Sequence, residues 1–469
     1  MIDHKNSVKM NNKYALREIF SDLRIPENAF VILAVVFGLL FLFITPPFQV
    51  ADESNHFLRA FQISELGIIA TKQENQIGGF LPKSLLQTIN EVSKDIRFKP
   101  QNKQKTENIF NLLNLPLASD KRIFLSFPNT SLYSPIPYLP QAFGIKLGTI
   151  FSFPPLVLMY MGRIANLLAW VCLVYLSLKI IPDFKWLFFL LSLTPMSLFQ
   201  AASLSADAVT NGLSFLWISF VFNQAFNNSK KITNFHICIM FIISTLLSLC
   251  KTAYFPLMLL YFVIPKNKLG NNKKYLLTFF VLALVNIGAI IFWSDLVKDL
   301  ISLKPNIAPK EQLIFIVTHP LEFTQILLNT FWKDGIENIF QFIGVLGWLD
   351  TRLPTIHSYS YLIILLLVAL ASQPKKLVIQ GWQKYIIFML FILNIVIIMV
   401  LLYLSWTAVG DKIIEGLQGR YLIPVATLLF VLLYRQNFLF QVDNWQKCIV
   451  GYSIFSSTIT VATLLNRYY

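Results

Sequence analysis

Residues 29–59 read AFVILAVVFGLLFLFITPPFQVADESNHFLR, and this stretch decides the class of fold. Its first part, 29–45, is almost entirely apolar and is long enough to cross a lipid bilayer as a helix. Two prolines end the apolar run, and ionisable side chains follow within a few residues: Asp52, Glu53, His56 and Arg59. The pattern predicts a membrane span followed by charged groups at the membrane surface, where burial and neighbouring charges tune pKa values.

The composition agrees with a membrane protein. The chain is 55% hydrophobic and only 13% charged, a balance typical of polytopic helical proteins and far from that of a soluble domain. Much of the net charge of +15 flanks apolar runs, where lysine and arginine set orientation, so the lipid bilayer is the predicted partner and nucleic acid is not. The four cysteines lie in or beside apolar runs without a CxxC motif, which favours packing roles.

Hydropathy along the chain predicts an all-α, polytopic fold with about eleven spans. The predicted spans are 29–46, 156–181, 185–200, 206–226, 234–250, 254–265, 275–293, 360–373, 385–405, 421–436 and 447–464. The short basic connections between them fall on one side, together with the basic tail 1–28. By the positive-inside rule that side is the cytoplasm, so we expect a multi-pass protein of the cytoplasmic membrane with its N-terminus inside. Residues 29–469 then form a single membrane domain.

Two long connections fall on the outer side, 47–155 and 294–359. The first is predicted to be a partly helical extracytoplasmic loop with interfacial helices. Its segment 129–151 could itself be a span, but its three prolines and moderate hydropathy favour an interfacial helix. Polar and aromatic residues concentrate on this face, a pattern that suits a cleft for a substrate with a polar head and a lipid tail.

Six stretches of the sequence resemble the successive signatures of a bacterial family of predicted membrane proteins, domain-of-unknown-function family 2142 (DUF2142). They read PPFQVADESNHFLRAFQIS, YSPIPYLPQAFG, MGRIANLLAW, TPMSLFQAASLSADAVTNG, GVLGWLDTRLP and LQGRYLIP, and they extend over about 30–435. That family is in turn similar to the GT-C class of membrane glycosyltransferases, which implies a GT-C-like fold. Enzymes of that class carry a catalytic acidic residue directly after the first span, and many carry an aspartate in the next external turn. The matching positions are Asp52 or Glu53, and Asp207.

Each acidic candidate has a structural alternative. Asp52 and Glu53 could anchor a membrane edge, and Asp207 could cap the helix that follows it. The motif does not decide which of Asp52 and Glu53 is the base. A divalent cation, Mg²⁺ or Mn²⁺, held by Asp52 and Asp207 would suit carboxylate oxygens, and the sequence leaves metal dependence open.

The predicted substrate-binding residues are polar or aromatic groups on the outer side. They are His56, Arg59, Tyr133, Lys251, Trp348, Asp350, Gln418, Arg420 and Tyr421. Arg59, Lys251 and Arg420 are candidates for phosphate binding, although each could instead pair with an acid or extend towards water. Arg163, inside the second span, needs a buried partner such as a carboxylate or backbone carbonyls.

The resulting hypothesis is an inverting glycosyltransferase. It would move a sugar from a polyprenyl-phosphate donor to an envelope glycan or lipid acceptor on the outer face of the membrane, with Asp52 or Glu53 as general base. The alternatives are a transporter or flippase of lipid-linked saccharides, and a non-catalytic component of envelope polysaccharide assembly. The sequence does not identify the sugar or the acceptor.

Overall fold

A computed structural model describes residues 23–93, 95–227, 231–301, 306–370, 378–434 and 445–469. It is mostly helical. Its α-helices in chain order are α1 (Pro26–Ile44), α2 (Glu53–Ser64), α3 (Lys83–Ser93), α4 (Thr106–Asn111), α5 (Pro128–Ser131), α6 (Leu139–Ile150), α7 (Pro155–Ile180), α8 (Lys185–Ser192), α9 (Pro195–Ala201), α10 (Asp207–Phe226), α11 (Asn234–Cys250), α12 (Asn272–Val297), α13 (Pro309–Thr318), α14 (Pro320–Gly344), α15 (Thr355–Leu370), α16 (Gly381–Ser405), α17 (Ile423–Leu432) and α18 (Trp445–Tyr468).

Shorter elements connect these helices. The 3₁₀ helices are Leu112–Asn114, Ile136–Tyr138, Thr252–Val263, Lys266–Leu269, Lys298–Leu300 and Gly419–Leu422. The strands are β1 (Thr71–Gln73), β2 (Gln76–Pro82), β3 (Arg122–Ser126), β4 (Val345–Leu346) and β5 (Thr351–Arg352).

Five of the described helices are long and apolar enough to cross a bilayer: α1, α7, α12 with the 3₁₀ turn after it, α16 and α18. Each coincides with a predicted span. Shorter apolar helices of 10–17 residues coincide with four more predicted spans. They are α11, the 3₁₀ helix Thr252–Val263, α15, and Gly419–Leu432, which joins a 3₁₀ turn to α17. Helix α10 matches the predicted span 206–226 and is buried along almost its whole length.

The run predicted as one span at 185–200 is two helices, α8 and α9. Thr194 and Pro195 interrupt it, and the Thr194 hydroxyl accepts a hydrogen bond from the amide of Ser197 at the start of α9. Both helices are buried inside the protein. Since the interrupted backbone is covered by protein, it is not exposed to lipid.

The segment 47–155, which was predicted to be partly helical, also contains a small β-sheet that the all-α prediction did not include. Strands β1 and β2 form an antiparallel hairpin with a two-residue turn, and β3 pairs with the other edge of β2. Gly78 permits this pairing, because a β-carbon there would lie 1.8 Å from the carbonyl oxygen of Leu125. Short polar strands such as β1 give little periodic signal against the strong apolar background, which is why the sequence did not reveal the sheet.

Among the described residues, three clusters of apolar side chains are packed, and two of them hold the helices and segment 47–155 together. The larger one surrounds Trp170 and Trp217 among the long helices. The other lies under segment 47–155 and joins α2, the sheet, α6 and the start of α7. At Gly144 the backbone of α6 comes so close to α7 that a β-carbon would lie 2.4 Å from the Met161 carbonyl oxygen. This close packing fixes α6 against α7, and the apolar cluster holds α2 to both helices, which sets the position of the acidic residues after the first span.

Candidate functional site

The chain turns sharply between α1 and α2, and Asp52 lies at that turn. Its backbone is left-handed, with φ 60° and ψ 9°, a conformation that aspartate tolerates better than most residues. The half-buried carboxylate accepts a hydrogen bond from Asn129 Nδ2 at 3.1 Å. Asp52 therefore keeps acceptor capacity for a ligand or for a proton.

Glu53, the neighbouring acid, is completely buried and bound to Arg163. Arg163 Nε donates to Glu53 Oε1 at 2.8 Å, and Arg163 Nη2 donates to Glu53 Oε2 at 2.6 Å. The same guanidinium donates to the carbonyl oxygens of Leu42, Thr45 and Pro46 at the end of the first span. This arrangement meets the predicted need of Arg163 for a carboxylate and carbonyls, and it ties α7 to the turn that carries Asp52.

Asp207, at the first position of α10, contacts two cations. Lys251 Nζ donates to Asp207 Oδ1 at 2.9 Å, and Arg420 Nε lies 3.7 Å from Asp207 Oδ2. The Nε of Arg420 is buried and has no hydrogen-bond partner among the described residues. We call Asp207, Lys251 and Arg420 the cationic cluster. Its two cations share one carboxylate, so it keeps a positive charge that an anion can neutralise.

His56 lies near both Asp52 and the cationic cluster, whose charges act on its ring. Its Nδ1 lies 2.8 Å from the hydroxyl of Tyr138, and the ring is almost fully buried. Burial lowers the pKa of His56 to about 4, although the charges of Asp52 and Asp207 oppose this shift. The imidazole is therefore neutral at neutral pH. The charge of Asp52 also acts on Arg420, so residues from three distant parts of the sequence lie close together.

Lys251 stays charged in this setting. Burial disfavours its ammonium group, but Asp207 and the surrounding tyrosines outweigh burial and raise the pKa of Lys251 well above its usual value. Its Nζ also lies 4.3 Å from the ring centre of Tyr421. Gln418, one turn before that tyrosine, has a buried Oε1 without a hydrogen-bond partner among the described residues. Four predicted substrate-binding residues thus adjoin Asp207 or one another: His56, Lys251, Arg420 and Tyr421.

Arg59 and Tyr133 have other roles. Arg59 is fully buried and donates to Gln62 Oε1, to the Ile68 carbonyl oxygen and to the Tyr133 carbonyl oxygen, at 2.5, 2.7 and 3.2 Å. These bonds within the protein assign Arg59 to the architecture of the outer segment rather than to phosphate. The ring of Tyr133 packs edge-on against Tyr138, 6.2 Å between centroids, and borders the site.

Asp350 is also engaged by the protein. It binds Arg467 Nη2 at 2.8 Å near the C-terminus and accepts a hydrogen bond from the amide of Trp348. The Trp348 indole donates to the carbonyl oxygen of Phe48, and the guanidinium of Arg97 lies 3.8 Å from the Trp348 ring centre. Trp348 therefore lies among the side chains near Asp52. Asp350 holds the backbone at Trp348 in place.

Sequence reasoning missed Arg97, Asn129 and Tyr138. Arg97 is exposed, and the charge of Asp52 acts on its guanidinium. Its sequence context, a polar stretch of the long loop, carries no signal of this contact. Tyr138 falls within the YSPIPYLP motif, so that motif was the available signal. Asn129 stands in an Asn-Thr-Ser sequence, a pattern that indicates glycosylation rather than contact with a carboxylate.

The geometry does not favour a metal ion between Asp52 and Asp207. Both oxygens of Asp207 already face cations, Lys251 and Arg420. Among the described residues, no group of three or more His, Cys, Asp or Glu side chains is arranged to hold a metal ion. Hard divalent cations take six or more oxygen ligands, several of them carboxylates when the site is built by protein alone. The residues present therefore do not fit the predicted Mg²⁺ or Mn²⁺.

The long apolar helices define this molecule as a multi-pass helical membrane protein, with a charged site beside the end of its first span. The profile of the family described as "Predicted membrane protein (DUF2142)" matches residues 35–429, so the chain belongs to that family. No curated protein and no solved structure gives a significant match.

Proposed function

We propose that this protein is an inverting, GT-C-like glycosyltransferase that uses a polyprenyl-phosphate-linked sugar. The observation that carries the proposal is the pairing of Asp52, a carboxylate with spare acceptor capacity, with the incompletely neutralised cationic cluster. A sugar phosphate needs both kinds of group: cations for its phosphate and a base for the acceptor.

In this mechanism Lys251 and Arg420 hold the donor phosphate. The acceptor hydroxyl attacks the anomeric carbon while the bond from that carbon to the phosphate oxygen breaks. Asp52 takes the hydroxyl proton, and the polyprenyl phosphate leaves with the bonding electrons. Attack opposite to the leaving group inverts the anomeric centre. The cations lower the barrier because they stabilise the charge that develops on the leaving phosphate.

Asp52 is the better of the two predicted bases. Glu53 is buried, and both of its oxygens accept hydrogen bonds from Arg163, so it cannot reach an acceptor without breaking that pair. Buried His56 is a weak base, because burial disfavours the charged ring that would form on accepting a proton. Its contact with Tyr138 orients the side chains beside Asp52. Asp207 acts by positioning Lys251 and Arg420.

We further propose about eleven spans in the cytoplasmic membrane, with the N-terminus in the cytoplasm and Asp52 on the outer face. Reporter domains inserted at the β1–β2 turn, near residue 74, and at Gly270 should give opposite results, extracytoplasmic and cytoplasmic. Both positions are exposed turns, so insertion should leave the helices intact. A cytoplasmic result for the reporter near residue 74 would rule out a site on the outer face.

The activity is tested with purified protein in vesicles that contain polyprenyl-phosphate sugars and candidate envelope acceptors. The expected result is transfer with inversion of the anomeric centre and release of polyprenyl phosphate. Movement of the intact lipid-linked sugar across the bilayer, without transfer, would support the transporter alternative. Neither transfer nor movement, together with restored polymer synthesis by an Asp52→Asn chain in cells, would indicate a non-catalytic assembly component.

A further inference from the structure

A second polar cleft lies apart from Asp52, with a volume of about 370 Å³. It is formed by α13, the first turns of α14, the end of α16 and the loop that follows α16. Its volume is within the range of small-molecule sites, roughly 300–1,000 Å³. None of the residues predicted from the sequence to bind substrate lines it.

The cleft carries an excess of negative charge. Among the described residues, the acids Glu311, Glu322 and Asp411 line it, against a single cation, Lys412. Glu311 and Glu322 lie in the first turns of their helices, where an acid also interacts favourably with the helix dipole. Asp411 lies in a loop and has no such explanation. The charge makes the cleft unsuited to a phosphate, in contrast to the cationic cluster.

A buried amide supplies independent support for a ligand. Gln312 lines the cleft and is 1% exposed. Its Nε2 donates to the carbonyl oxygen of Thr407 at 2.8 Å, which fixes the orientation of the amide. Its Oε1 is buried and has no hydrogen-bond partner among the described residues. Buried acceptors without a donor are unfavourable, so a ligand hydroxyl or amine at this point would satisfy the amide.

The remaining lining suits a saccharide. Gln325 and Asn329 add two more amides, and the rings of Phe315 and Tyr403 lie 6.4 Å apart. Amides and carboxylates bind hydroxyl groups, while aromatic rings cover the apolar face of a sugar. Among the described residues, the carboxylates of the cleft do not form a group of three arranged for a metal ion. Hydroxyl groups explain this donor and acceptor set better than a cation does.

The cleft is linked to the cationic cluster but is remote from it. Helix α14 carries both Asn329, in the cleft, and Gln341, whose Oε1 accepts a hydrogen bond from the amide of Gly419 beside Arg420. Asn329 precedes Gln341 by 12 residues, a rise of about 18 Å along the helix. A ligand in the cleft is therefore not the sugar that reacts at Asp52.

We propose that this cleft is a distal subsite that binds an extended saccharide lacking acidic groups. If the protein is a transferase, the saccharide is the part of the acceptor furthest from the reacting hydroxyl. That last statement depends on the proposed function, whereas the binding itself does not.

Saturation-transfer NMR on the full-length protein in nanodiscs tests the binding. The probes are tetrasaccharides of glucose, galactose, mannose, glucosamine and galacturonic acid. At least one neutral or amino tetrasaccharide should bind, and galacturonate should bind much more weakly because the cleft is acidic. The double variant Glu322→Gln/Asp411→Asn should weaken binding about tenfold or more, because two charged acceptors are lost. The variant Gln312→Met tests whether the buried amide of Gln312 contributes to saccharide binding.

Glu337→Gln is the matched control, because Glu337 lies on the same helix outside the cleft and binds exposed Arg352. This control should bind saccharide as the wild type does. The proposal is overturned if none of the tetrasaccharides binds, if galacturonate binds as tightly as the others, or if the double variant binds normally. If the protein transfers sugar but binds none of the tetrasaccharides, the subsite proposal alone is refuted. If the protein binds a tetrasaccharide but transfers no sugar, the subsite proposal stands and the transferase proposal is refuted.

Discussion

Arg163 and Arg420 are both buried arginines beside an acidic residue, but their surroundings differ. Arg163 makes two bonds to Glu53 and three to backbone carbonyls, so its donors are fully occupied in the architecture. Arg420 shares Asp207 with Lys251, and its Nε lies 3.7 Å from that carboxylate without a hydrogen bond among the described residues. The comparison teaches that the ion pair of Arg163, whose donors are all occupied, supports the fold. Arg420 shares its acid with a second cation and so keeps positive charge for a ligand.

The same contrast separates Glu53 from Asp52, its neighbour in sequence. Glu53 is entirely enclosed by Arg163 and by the amide of Leu204, which donates to Glu53 Oε1 at 3.1 Å. Asp52 is half-buried and contacts the side chain of Asn129. Glu53 thus supports the fold, whereas Asp52, the residue before it, is available for chemistry.

The largest effect on stability is expected for Glu53→Gln. It leaves Arg163 buried without its counter-charge, and breaking a buried pair typically costs about 3–5 kcal/mol. Thermal unfolding of the purified protein and its yield from membranes measure the loss. Glu337→Gln breaks an exposed pair with Arg352 and should cost about 0–1 kcal/mol. Equal stability of the two variants would contradict the conclusion that the buried pair of Arg163 and Glu53 supports the fold.

A smaller effect is expected from the pH dependence of His56. Its pKa is about 4 in the folded protein and about 6.5 when unfolded, because burial disfavours the charged ring. The unfolded state therefore binds the proton first as the pH falls. Stability should be unaffected by His56 above about pH 6.5 and should fall between pH 6.5 and 4, by up to about 3 kcal/mol.

Unfolding curves of the wild type and of His56→Asn over this pH range measure that contribution. The asparagine keeps a polar group towards Tyr138 but does not titrate. The difference between the two proteins should therefore change between pH 6.5 and 4 and be constant above pH 6.5. A constant difference over the whole range would mean that His56 is not buried in its neutral form.

The smallest effect is expected for Arg420→Lys. The change keeps the positive charge beside Asp207 but removes the planar fork of donors, so polyprenyl-phosphate should bind about tenfold more weakly while expression stays normal. Titration of the purified variant with polyprenyl phosphate measures the affinity. Arg352→Lys, at the exposed pair, is the control and should bind as the wild type does. Normal affinity in Arg420→Lys would show that the fork does not contact the phosphate.

Much of the helical framework could be predicted from the sequence, because a bilayer demands long apolar runs. The five described helices that are long enough to span all coincide with predicted spans. The division of 185–200 at Pro195 was harder to predict, since a run that is apolar on all sides has the same composition whether it faces lipid or protein. The three-stranded sheet depends on pairing between 76–82 and 122–126, which are distant in sequence.

The structure brings several of the predicted residues together, but the sequence did not predict which acid or arginine each of them contacts. Lys251 stands out in the sequence because a lysine on the predicted outer side opposes the charge bias of membrane proteins, and it does contact Asp207. Composition could not separate Asp52 from Glu53, or Arg59 from Arg420, because these residue types are chemically alike. Only burial and hydrogen bonds distinguish them. Arg97 carried no sequence signal, because its contacts come from residues far along the chain.

The most direct test of the central claim compares Asp52→Asn with the wild type in the vesicle transfer assay at equal protein levels. Asparagine is nearly isosteric at this half-buried position, so folding should be retained, but it cannot accept the proton. The account predicts normal membrane levels, normal binding of polyprenyl phosphate, and transfer that is slower by about 10²–10⁴-fold. Transfer at the wild-type rate by Asp52→Asn would contradict the account, because among the described residues no other carboxylate beside the cationic cluster has the same freedom to act as base.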